Sequence, residues 1–143
     1  MRVACLSLIA LAAVGCTEAP SDDTPSGALR MFLDAMERSE RDPEALQEAY
    51  ALLAAPARHG LQERAHLATS LGGREFEPWE MLVRGRFRRT FTARESHGME
   101  ERVDGDEATV VVRGDDGQVA RVPMALEDEG WRVVLAIPPA RGD

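Results

Sequence analysis

The chain contains no lysine: all 17 of its basic residues are arginine. That excludes Schiff-base lysine chemistry and the lysine of a phosphate-binding P-loop. Cysteine occurs twice, at Cys5 and Cys16. The chain beyond residue 16 therefore has neither a disulfide nor a cysteine-ligated zinc or iron–sulfur site. Aromatic residues are scarce at 5%, with a single tyrosine, Tyr50. Positive charge is in deficit, giving a formal net charge of −8. Such a chain is repelled by phosphate backbones, so a nucleic-acid partner is not expected. Anionic headgroups repel it too, so membrane attachment has to come from lipid rather than from a basic patch.

What is present is the composition of a globular protein, 44% hydrophobic and 29% charged over 143 residues. One domain is expected. Setting aside the first 15 residues leaves 128, which bury roughly two thirds of their unfolded surface and need no covalent staple.

The start reads MRVACLSLIALAAVGC. Arg2 is a short positive segment, and Val3 to Val14 form an apolar run of twelve residues. That run is short of the ~20 residues of a membrane-spanning helix, and it leads into small residues, as a secretory signal does. The segment Ala13-Val14-Gly15-Cys16 resembles the lipobox of bacterial lipoproteins. It departs from the usual pattern at Ala13, where Leu is commonest; Leu11 lies two places earlier. The resemblance implies cleavage after Gly15, diacylglycerol on the Cys16 thiol and acylation of the new amine. Two or three acyl chains, at ~0.8 kcal/mol per buried CH2, anchor a protein stably. The alternative reading is an ordinary secretory signal cut near Ala13 or Ala19. Thr17, in place of a retention-favouring Asp, slightly favours the outer membrane of a bacterial envelope. Residues 16–26 are expected to be the lipidated cysteine and a disordered tether, because TEAPSDDTPS lacks any apolar run. Ten extended residues would reach ~30 Å.

Beyond residue 26 the chain divides into a helical half and a strand half. Ser26 is an expected N-cap for a first helix with a stripe of Leu29, Phe32, Leu33 and Met36. Asp42-Pro43 opens a second, with Leu46, Ala49, Tyr50 and Leu53 inward. Pro56 starts a third, with Leu61, Ala65, Ala68 and Leu71 inward, and Gly72-Gly73 ends it. Pro78 starts a further turn. From Arg86 the period changes to two. Phe87, Arg89, Phe91 and Ala93 alternate with Arg86, Arg88, Thr90 and Thr92. Short strands follow at MEERV, at Ala108 to Arg113 and at Val119 to Leu126, separated by Asp104-Gly105 and Gly114 to Gly117. Pro123 marks an edge or a bulge. After a turn at Glu127 to Gly130, a last strand carries Trp131, Val133, Leu135 and Ile137 on one face.

Helices followed by hairpin-linked strands predict an α+β fold: three N-terminal helices on a curved antiparallel sheet of four to five strands. The ALRMFLDAMERSE helix, the ALLAAPARHGLQERA segment and the closing EDEGWRVVLAIPP strand resemble the cone-shaped nuclear transport factor two-like, or cystatin-like, superfamily. More specifically, the chain is similar to small bacterial lipoproteins of unknown function that join this domain to a lipobox. The domain would cover residues 27–138, with 139–143 as a tail. The resemblance implies a cavity between the helices and the concave sheet, lined here by Tyr50, Trp79, Phe87, Phe91 and Trp131. It also implies that two copies can dimerise through the sheet.

Enzymatic relatives such as ketosteroid isomerase hold an acid or tyrosine pair in that cavity. No such set can be assembled here, so no catalytic residue and no cofactor is assigned. Tyr50 among leucines is expected to be core. His59, Glu63 and His66 share a helix face, and Glu63-x-x-His66 is half of a carboxylate di-iron motif. The second half is absent, so no metal is expected. Ser96 and His97 are adjacent, and neighbours on a strand point to opposite faces, so they do not make a nucleophile and base. Arg84, Arg86, Arg88 and Arg89 form the one basic cluster, expected to pair with acids such as Glu100 and Glu101. The function expected is that of a membrane-anchored, non-enzymatic binding or accessory module, its partner an envelope protein or a small apolar ligand. The alternative is an isomerase- or dehydratase-type enzyme working in the cavity.

Overall fold

A computed structural model describes residues 19–84, 98–114 and 117–139. Its first helix starts from a Thr-Pro pair. Thr24 is the N-cap, its hydroxyl accepting from the Gly27 N–H at 3.1 Å, and Pro25 enters at a position whose N–H has no helical partner. Helix α1 therefore runs Pro25–Arg38, two residues ahead of a start capped by Ser26. The Ser26 N–H instead donates to a strand carboxylate, Glu101, at 3.0 Å. Asp42 closes a turn before α2 (Ala45–Ala51): its side chain accepts from the Glu44 N–H at 3.1 Å. Helix α3 spans Ala55–Gly72 and is stopped by Gly73 at φ 69°, the left-handed conformation glycine adopts without steric cost. Helix α4 is the short Glu80–Arg84.

The strands are β1 (Met99–Asp104), β2 (Glu107–Arg113), β3 (Val119–Glu127) and β4 (Gly130–Val133), in the antiparallel order β1-β2-β3-β4. The architecture is α+β, with helices packed on a four-stranded meander. Alternation divides the sheet into two faces. Ala108, Val110 and Val112 of β2, Met124 of β3 and Trp131 and Val133 of β4 are buried against the helices. Leu29, Leu53, Leu61 and Leu82 are the largest buried helix-side residues. The stripes read from the sequence hold for Leu29, Leu46, Ala49, Leu53, Leu61 and Ala65. Leu71 departs from them and is 80% exposed, because burial along α3 ends one turn earlier. No helix among the described residues is long and apolar enough to cross a membrane.

The last strand is shorter than its apolar pattern suggests, and Pro123 supplies the reason. The Val134 N–H donates to the Pro123 carbonyl at 2.9 Å. The Pro123 peptide therefore faces the β4 side, where its missing N–H cannot return the bond, and the ladder stops at Val133. Pro123 sits in an inner strand, tolerated because its neighbour ends there.

The free side of β4 is closed by two other segments. The Val133 N–H donates to Leu52 O at 2.8 Å, and the Ala54 N–H donates to Val133 O at 2.9 Å. The Trp131 N–H donates to Asp22 O at 2.8 Å. An edge that would otherwise template strand addition is thus occupied. The contact at Asp22 corrects the expected tether: residues 21–26 are part of the packed domain. The sequence shows no apolar run there because the attachment is polar.

Candidate functional site

The N-terminal attachment is built on Arg132, the one buried charged residue among those described. Its side chain lies on the strand position opposite Trp131 and is 6% exposed. Nη1 donates to Asp22 Oδ2 at 2.7 Å and to Trp131 O at 2.9 Å, and Nη2 is 3.7 Å from Glu129. Gly130 makes room for the approach. A Cβ there would lie 2.8 Å from the Asp22 carboxylate, and the φ of 132° disfavours any side chain. Beside it runs a groove of about 420 Å3 lined by Asp22, Met31, Asp34, Arg38, Glu48 and Arg132 among others. Across that groove Arg38 donates to Asp34 at 2.8 Å and to Glu48. The hydrogen bond from Arg38 holds the Glu48 carboxyl below its ordinary value, and Glu48 and then Asp34 raise that of Arg38.

A second groove, about 480 Å3, lies wholly among helices and their connections, lined by Pro43, Leu46, Gln47, Arg74, Trp79 and Glu80. Trp79 stands edge-on to Tyr50, centroids 6.3 Å apart, and the Tyr50 hydroxyl accepts from Gln62 at 3.1 Å. These two residues are therefore brought together, but within the helix layer. Trp131, the third described member of the expected cavity lining, is 6% exposed in the core below the sheet. Phe87 and Phe91 lie outside the described residues, as do Cys16, Arg86, Arg88, Arg89, Ser96 and His97.

The third groove, about 540 Å3, lies on the sheet face turned away from the helices. Glu100, Val111 and Arg121 form one row across β1, β2 and β3, flanked by Arg102-Thr109 on one side and Arg113-Val119 on the other. Glu100 is paired with Arg113 at 3.7 Å, and Glu101 accepts from Ser26. The arginines expected to pair with these acids, Arg86, Arg88 and Arg89, lie outside the described residues. Arg102 and Arg121 make no ion pair or hydrogen bond to a described residue. Nothing in the residue pattern singles them out, since strand register decides which arginines share a face.

His59 Nε2 stands 3.5 Å from Glu63 on an exposed helix face. No group of three metal-ligating side chains is found among the described residues. Every buried side-chain polar atom described has a partner. Comparison with protein-family models, with curated proteins and with solved structures gives no match to this chain.

Proposed function

We propose that this protein is a lipid-anchored envelope lipoprotein whose α+β domain acts as a binding or accessory module. The observation that carries this reading is the junction between leader and domain. The lipobox-like segment ends at Cys16, and by Asp22 the chain is bonded into the sheet edge. Only residues 17–20 separate Cys16 from Ser21, a reach of roughly 17 Å at ~3.4 Å per step. The domain would hang close to the bilayer by its β4 edge, not on a ~30 Å tether. Helices ahead of a four-stranded meander are also what a nuclear transport factor two-like domain requires.

Binding is favoured over catalysis by the character of the packed interior. Between helices and sheet, the described core is apolar, and the one buried charge among the described residues, Arg132, is paired with Asp22. A general base needs a titratable group facing a cavity. The outer sheet face presents guanidinium groups in place of the apolar surface that sheet-to-sheet dimerisation would bury, so a monomeric module fits it better.

Expression in a bacterium, followed by intact mass and membrane fractionation beside Cys16→Ser, tests the anchor. The reading expects a mature chain beginning at Cys16, bearing acyl chains and pelleting with membranes, with both properties lost in the variant. An unacylated wild-type product in the soluble fraction would overturn it.

A further inference from the structure

We infer that the groove on the outer sheet face binds an amphipathic monocarboxylate, its head held between Arg102 and Arg121 and its hydrocarbon body against Val111 and Val119. This rests on the reading of the chain as a binding module, but not on its lipid anchor. The first support is charge. In a chain of net charge −8, five of the ten arginines with described side chains pair with a carboxylate: Arg38, Arg58, Arg74, Arg113 and Arg132. Two that have none stand in one groove.

Their spacing is the second support. Arg102 is on β1 and Arg121 on β3, with β2 between them. At ~4.8 Å per strand their backbones are separated laterally by roughly 10 Å. Two guanidinium groups can then approach one carboxylate from opposite sides, each donating to it in the planar geometry that suits that pair.

The balance of charge and surface selects the class of anion. Arg102, Arg113 and Arg121 against Glu100 and Glu101 leave one net positive charge in the lining. A monoanion neutralises that charge, whereas the doubly charged head of a phosphate monoester would exceed it. Val111, between the two unpaired arginines, and Val119, 45% exposed, give the floor an apolar strip that an inorganic anion leaves bare. The volume, about 540 Å3, falls within the size range of small-molecule sites.

The test uses a chain starting at residue 17, which holds every described residue and carries no acyl group, so it is blind to whether the anchor exists. Decanoate, its neutral amide and decyl phosphate are titrated separately while backbone amide NMR shifts are followed. The expected result is saturable shifts at Thr109, Val111 and Val119, with decanoate about tenfold tighter than either analogue. Arg102→Gln/Arg121→Gln should weaken decanoate about tenfold or more and abolish the preference over the amide, while Arg41→Gln leaves both unchanged. Equal binding of the neutral amide would overturn the proposal, as would tighter binding of decyl phosphate. So would shifts confined to other residues, no saturable shift, or a groove closed by a second copy, seen as a doubled mass in sedimentation. Spectra of the double variant, unchanged away from the groove, separate lost binding from lost folding.

Discussion

Two arginines flank one groove and are held in opposite ways. Arg38 bridges Asp34 and Glu48 with 43% of its side chain exposed, whereas Arg132 meets Asp22 with 6% exposed. Both have hydrogen-bonded carboxylates at short range. The difference is water. Exposed pairs gain little, because solvent already stabilises each charge and salt screens their attraction. A buried guanidinium has given up that solvation, so losing its partner leaves an uncompensated charge. The pair resembling a surface decoration joins two neighbouring helices; the other fastens the N-terminal segment to the sheet.

The sharpest way to break this contrast is Asp22→Ala. It should destabilise the fold by about 3 kcal/mol, at the lower end of the cost of breaking a buried pair because Asp22 is itself 31% exposed. In thermal unfolding that is a Tm drop on the order of 10 °C. Arg132→Met comes next and should cost less, about 1 kcal/mol, since an apolar side chain fills the site and Asp22 can hydrate. An equal or larger loss for Arg132→Met would show that packing, not the uncompensated charge, dominates. Arg38→Ala should lower Tm by less than roughly a third of the Asp22→Ala shift. Its effect should vanish as salt rises from 0.1 to ~1 M, where the Debye length falls to ~3 Å, while the Asp22→Ala effect persists. The smallest effect is on pH dependence. Glu48 is held below its ordinary value, so its contribution is present above the usual carboxylate range and lost as pH falls through the lowered value. Glu48→Gln should flatten that acid limb in Tm measured against pH, leaving the neutral-pH slope unchanged.

The local grammar of the chain was readable. Pro56, Gly73 and Gly105 mark their boundaries by fixed φ or a missing Cβ, properties that need no tertiary context. Leu29 and Leu61 declare their faces by periodicity, whereas Val110, Val111 and Val112 form an unbroken apolar run in which only the packing shows that Val110 and Val112 face the helices. Arg132 was hidden because its partner lies 110 positions away, and alternation beside Trp131 and Val133 placed it on a solvent face. The end of β4 was hidden for a related reason: Leu135 and Ile137 continue the apolar pattern, while the residue that halts pairing, Pro123, is on the neighbouring strand. Arg102 and Arg121 became neighbours only through register. Tyr50 and Trp79 were selected by type, and the structure pairs them in the helix layer, where α2 meets the turn before α4.

Pro123 also acts as a proofreader. In the native register it lies opposite Thr109 with its imide side turned from β2. A hairpin closing one residue out of step would turn that side toward β2, where a ladder bond needs a hydrogen proline does not have. The same slip would carry Val110 and Val112 to the other face relative to their partners. The misthreaded hairpin is thus penalised twice, in backbone and in side chains, so a single imino acid helps the folding chain reject its nearest competitor.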